Sequence, residues 1–161
     1  MAEYDKAKLV QMSRWEPWAD AYFRSMNSHQ KLTWMFITAG PHTHPAVPGL
    51  YRLTFAQMYE RLDLRHESGE PLTRKEVADI TRDFFAQGYM KGDGIAGLLK
   101  VFGVTADMAM ASAEVVCNQL SKLPACPLKD EHITEMMHAV SSDRVIELLA
   151  HQLGCLLYTS D

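Results

Sequence analysis

The chain has 161 residues, 47% of them apolar and 22% charged, with a net charge of −4. Those proportions suit one globular domain with its own core and exclude a disordered segment. The small acidic excess lacks the basic footprint of a nucleic-acid-binding domain and falls short of the dense acidity of a DNA mimic.

Helix signals recur along the chain. The first expected helix covers Glu3 to Arg14, with Leu9, Val10 and Met12 as its apolar members. Pro17 ends it and opens a second, carrying Trp18, Tyr22, Phe23 and Met26 at spacings near three and four. Asn27-Ser28 interrupts, and Ser28 caps a third segment, His29 to Ala39. The β-branched and aromatic run in that segment fits either a helix or a short buried strand. Gly40 to Gly49, with three prolines, is a loop.

Thr54 with Gln57, and Thr73 with Glu76, are capping boxes that open two more helices. The first runs to about His66 and the second bears Val77, Ile80 and Phe84. After Gly92-Asp93-Gly94 a short helix is expected through Ile95, Leu98, Leu99 and Phe102. Thr105 caps a longer helix to about Leu123, and two short helices, Asp130 to Val140 and Ser142 to Leu153, close the chain. The expected fold is all-α: a single-domain irregular orthogonal bundle of about six to eight helices, with any sheet limited to a short hairpin between Trp34 and Tyr51.

Five constellations carry possible chemistry. Ile95 to Thr105 resembles the scaffold half of a helix-turn-helix, with Gly103 at the turn. The helix after it, Ala106 to Glu114, offers no Arg, Lys, Asn or Gln to base edges, so packing is the expected role. Glu135-Met136-Met137-His138 has the Glu-x-x-His spacing of di-iron bundles, with Glu147 and His151 as a second arm. Helical phase sets Ile133, Met136, Met137 and Val140 inward, and Val145, Ile146, Leu149 and Leu153 likewise. All four candidate ligands are therefore expected on solvated faces without metal. His42 and His44, alternate in a proline-stiffened loop, could share an ion, but two imidazoles need further ligands. Cys117 sits among Val115, Val116 and Leu120 and reads as an inert core thiol. No nucleophile elbow, phosphate loop or zinc-protease motif is present.

The fifth is the aromatic N-terminal stretch. Trp15, Trp18, Tyr22, Phe23, Trp34 and Phe36 are more large rings than one small helix pair easily covers, and aromatic side chains and Met are enriched in interface cores. Of these, Trp15, Trp18, Tyr22 and Trp34 are singled out. They are the expected partner-binding residues.

The last residues, Cys155 to Asp161, resemble the conceptual translation of a transposon-type sequencing-library adapter. The resemblance implies a metagenomic read and a native helical domain of residues 1–154, with 155–161 a foreign tail.

The functional expectation is a small protein-binding or regulatory module acting through its aromatic and Met-rich surface. A metagenomic origin points to a phage or mobile-element protein, such as an inhibitor of a host defence system. The alternative is a helical metal- or cofactor-binding enzyme using His42 and His44. The expected partner is a protein or a second copy of the chain, with no cofactor. Specific binding of duplex DNA is not expected, because Arg61, Arg65, Arg74, Lys75 and Arg82 alternate with acidic residues and cancel beyond a Debye length of about 8 Å. No apolar run reaches membrane-spanning length, no secretory signal opens the chain, and the three cysteines form no disulfide pattern, so the cytoplasm is the expected compartment.

Overall fold

The computed structural model describes residue 18 and residues 20–102, 112–139 and 146–152. In chain order the elements are α1 (Ala21–Ser25), α2 (Ser28–Ala39), β1 (Leu50–Arg52), α3 (Phe55–Leu62), α4 (Arg74–Ala86), β2 (Met90–Asp93), β3 (Leu98–Val101), α5 (Ala113–Ser121) and α6 (Pro127–Ala139). A last helical stretch covers residues 146–152. The Glu3 to Arg14 helix, the segment around Thr105 and the tail from Cys155 lie outside the described residues.

The expectation of an all-α bundle is corrected by a three-stranded antiparallel sheet, ordered β1-β3-β2. Leu50, Tyr51 and Arg52 pair with Lys100, Leu99 and Leu98; Met90 to Asp93 pair with Val101 to Leu98. The segment expected as a short helix from Ile95 is therefore a hairpin and its second strand. Two local features select the hairpin. Gly97 takes a left-handed φ of 70°, and the Asp93 carboxylate accepts hydrogen bonds from the Ile95 and Ala96 amides at 3.1 and 3.0 Å. The hairpin expected between Trp34 and Tyr51 is also corrected: Trp34 lies on a helix, and β1 pairs with a strand some fifty residues on.

Capping chemistry sets three helix starts. Asn27 with Gln30, Thr54 with Gln57 and Thr73 with Glu76 form reciprocal boxes. The cap of α2 is thus Asn27 rather than Ser28. Helix α3 ends earlier than its periodicity implies, because Asp63 turns left-handed at φ 44°.

The sheet separates two cores. On one face Tyr51, Leu99, Val101 and Met90 join Phe23, Ile37, Met58, Val77 and Phe84 from α1 to α4. On the other, Leu50 and Leu98 join Val116, Leu120, Ile133, Met136 and Leu149. Alternation along β1 and β3 sends neighbouring residues to opposite layers, as the pleat requires. Helix α2 packs on α3 and α4, and α6 crosses β3. Among the described residues no helix is long and apolar enough to cross a membrane.

Candidate functional site

Helices α3 and α4 are joined by residues 63–73, a turn closed by the Arg65–Pro71 bridge and by the Leu72 amide donating to the Leu64 carbonyl at 2.8 Å. Buried Val77, Thr81 and Phe84 fix the inner face of α4. Its opposite face is then Lys75, Asp79, Arg82 and Ala86, all exposed. Arg82 pairs with Asp79, one turn away, at 2.6 Å. Arg74 stands at the first turn with its guanidinium 4.9 Å from the Tyr59 ring centre. Glu76 is turned aside toward His66 at 3.0 Å, and the Thr73 amide is the main cause holding its carboxyl below the usual range. Asp83 is likewise turned aside, accepting a 2.6 Å hydrogen bond from the Tyr22 hydroxyl. The outward face of α4 is thus more basic than its sequence, since two of its three carboxylates, Glu76 and Asp83, point elsewhere.

The β2–β3 hairpin projects beside this helix. Its tip carries Ile95, fully exposed. Between the tip, the first turn of α3 and α4 lies an open cavity of about 480 Å³, lined by Phe55, Phe85, Arg74, Asp93 and Leu99 among others.

The sequence-derived candidates fall as follows. Trp15 lies outside the described residues. Trp18 is 53% exposed, with its ring edge-on to Phe23 and the Lys31 ammonium 4.9 Å from its centre. Tyr22 stacks on Tyr89 with ring centres 4.3 Å apart, and Trp34 meets Phe84 and Tyr89 edge-on. Those two therefore sit half-buried in an internal aromatic cluster. Burial, and then the Asp83 hydrogen bond, push the Tyr22 phenol pKa well up.

His42 lies beside Phe36 and Tyr51, and burial lowers its pKa. Its Nε2 is 2.7 Å from the Ile37 carbonyl and so carries the proton. The Nδ1 of His44 accepts from the Ala46 amide at 3.0 Å. With that lone pair engaged, His44 has no free acceptor for a metal ion unless the turn opens. Among the described residues no three His, Cys, Asp or Glu cluster as metal ligands. Burial raises the Cys117 thiol pKa, as suits an unreactive cysteine.

Of the four expected solvated residues on the last helices, His138, Glu147 and His151 are exposed. Glu135 is corrected: its carboxylate pairs with the fully buried Lys100 ammonium. The inward stripe of α6 is Leu128, Lys129, His132, Ile133 and Met136, which brings position 135 to the edge of the sheet. The Lys100 ammonium also donates to His132 Nδ1 at 2.7 Å, and His132 Nε2 donates to the Pro48 carbonyl at 3.0 Å. Burial first, and the Lys100 charge second, push the His132 pKa down to about 3. This trio, with Lys100 and His132 buried and Glu135 at the rim, was missed by sequence reasoning; a lysine inside the apolar run Leu98-Leu99-Lys100-Val101 was its only signal.

Comparison with family models, with curated proteins and with solved structures finds no match for this chain.

Proposed function

We propose that residues 20–102 form a winged helix-turn-helix module that binds duplex nucleic acid, with α4 entering the major groove and the β2–β3 hairpin as the wing. One observation carries the reading: the element order α2-β1-α3-α4-β2-β3 with sheet order β1-β3-β2. The warrant is topological, so the site must supply the chemistry. It offers Arg74, Lys75 and Arg82 on α4, the helix whose first turns reach base edges in such motifs. Arg61 on α3 is a further exposed cation, whereas Lys91 on β2 is held by Glu131 of α6 at 3.0 Å. The turn between α3 and α4 is longer than the three or four residues usual in this motif.

Charge distribution answers the sequence argument against DNA. Residues 20–102 hold ten Lys and Arg against nine Asp and Glu; residues 103–161 hold three against eight. The acidic excess thus belongs to the chain after the hairpin. Near-neutrality of the module still implies modest affinity, because phosphate contacts supply most of the non-specific term.

The test is fluorescence anisotropy of the full chain on a labelled random-sequence duplex. Binding is expected at about 50 mM salt, weakening steeply by about 200 mM. Lys75→Ala should weaken it and lower the salt slope by about 1, whereas Asp79→Asn, which frees Arg82, should strengthen it. No binding at low salt, or binding indifferent to both substitutions, overturns the reading.

A second reading is self-association through the aromatic N-terminal side, favoured by the exposure of Trp18 together with Leu32 and Met35 on α2. Sedimentation of the wild type and Trp18→Ala decides it: a dimer lost on substitution supports it, and a monomer in both removes it.

A further inference from the structure

We propose that the pocket formed by His42, His44, Arg52, Gln119 and Lys122 binds a small phosphate, either free or as a phosphomonoester. The pocket is a cavity of about 280 Å³ between the 40–49 loop, the end of β1 and the last turn of α5. Among the described residues its only formally charged lining groups are the cations Arg52 and Lys122, and no carboxylate lines it. Among the described residues neither cation has an ion-pair partner. Two unpaired positive charges beside a shared concavity are what an oxyanion of charge near −2 complements.

The hydrogen-bonding roles agree. In its neutral form His44 accepts the Ala46 amide at Nδ1, which leaves its proton on Nε2 as a donor. Gln119 adds amide donors. A metal ion would face two cations, and His44 Nε2 would offer it a proton rather than a lone pair. The arrangement therefore selects against the ion and for the anion.

The wall is held in place before any ligand arrives. The Thr43 amide donates to the Gly40 carbonyl at 3.1 Å, the Val47 amide to the His44 carbonyl at 3.1 Å, and the Gly49 amide to the Tyr51 hydroxyl at 2.9 Å. Behind Leu123, the buried Lys129 ammonium donates to the Leu123 carbonyl at 3.0 Å. That contact offsets the negative end of α5, which would otherwise repel an anion.

Arg52 lies on the face of β1 shared with Leu50, whose contacts are with α5 and α6; Tyr51 faces the α1–α4 layer. The pocket is thus across the sheet from α4, and the proposal does not rest on the duplex reading. Its volume suits a phosphoryl group with a small substituent rather than a polymer.

The experiment is calorimetric titration of the full chain with inorganic phosphate, with glucose 6-phosphate and with a 20-base-pair duplex. Saturable one-to-one binding of phosphate or the sugar phosphate is expected at a dissociation constant of about 1 mM or tighter. Tighter binding of the ester would identify a phosphomonoester as the ligand, and equal binding the free anion. The double variant Arg52→Gln, Lys122→Gln should keep its melting temperature, since both side chains are exposed, and lose roughly tenfold or more in affinity. Lys122→Arg should retain binding. The His44 ring resonances should shift with the same saturation curve. Absence of saturation, equal affinity in the double variant, or displacement of the phosphate by the duplex would each overturn the proposal.

Discussion

Lys100 has a fully buried ammonium and a partner whose side chain is 27% exposed, so the two ends of this ion pair are not equivalent. Glu135→Ala strands a cation in the core with only His132 and the Phe102 ring, 4.7 Å from the ammonium, to stabilise it. Denaturant unfolding should show a loss of about 3 kcal/mol. Lys100→Met leaves a carboxylate that can turn to water, and should cost less than half as much. Equal losses would mean that the pair acts through packing alone. His132 gives the pH dependence. Its folded pKa of about 3 lies below the ordinary 6.5, so the unfolded chain binds the proton more readily. The contribution is complete above the unfolded value and is lost as pH falls from about 6.5 toward about 3, with a slope approaching 1.4 kcal/mol per pH unit. Between about pH 6.5 and 5 most carboxylates stay ionised, but His42, whose pKa burial also lowers, adds a slope of the same sign, so the share of His132 is the part its substitution removes. His132→Gln, which keeps a donor for Pro48, should flatten the slope in urea midpoints measured across that window.

At the scale of elements, the hairpin tip contrasts two glycines. Gly97 has φ 70° and a position where a Cβ would sit 3.5 Å from the Thr54 methyl; Gly94 has open space around it and no left-handed φ. Gly97→Ala should cost about 1–2 kcal/mol by thermal melts and Gly94→Ala very little. Thr73→Ala should cost about 1 kcal/mol by removing the oxygen that receives the Glu76 amide at 3.1 Å. These starts were legible in the sequence, because a capping box is a local pattern whose reward is also local. Helices α3 and α4 and the loop from Gly40 were readable for the same reason. The strands were not. All four residues of β3 are buried, since helices cover both faces of the sheet, so no alternation marks it. Strand β1 is three residues long, and its pairing with β3 is set by tertiary contact rather than by any turn between them. The phosphate pocket combines residues from three separate segments, and the outward basicity of α4 depends on where Asp83 and Glu76 turn. Neither arrangement has a one-dimensional signature. His42 and His44 could be singled out, but their hydrogen-bonding roles needed the turn geometry.

At the scale of the whole molecule, β3 is the one strand that touches everything. It is hydrogen-bonded on both edges, to β1 and to β2. Leu98 belongs to the core under α5 and α6, Leu99 and Val101 to the core under α1 to α4, and Lys100 binds α6 directly. Opening β3 therefore requires both layers to separate, whereas α3 can fray with most of its residues already exposed. Local opening free energies should follow that difference, because amides exchange through the least costly opening that frees them. Native-state hydrogen exchange should find its slowest amides in β3, exchanging at the rate of global unfolding. The β2–β3 tip and the 63–73 turn should exchange far faster, as suits segments that would adjust to a ligand. A Leu98→Ala substitution should accelerate the slowest amides in both layers together, since it destabilises the shared element; a large core truncation of this kind costs about 2–5 kcal/mol. If it loosens only α5 and α6 while α2 and α4 keep their protection, the two layers unfold independently, and the module of residues 20–102 is stable without the helices packed behind its sheet.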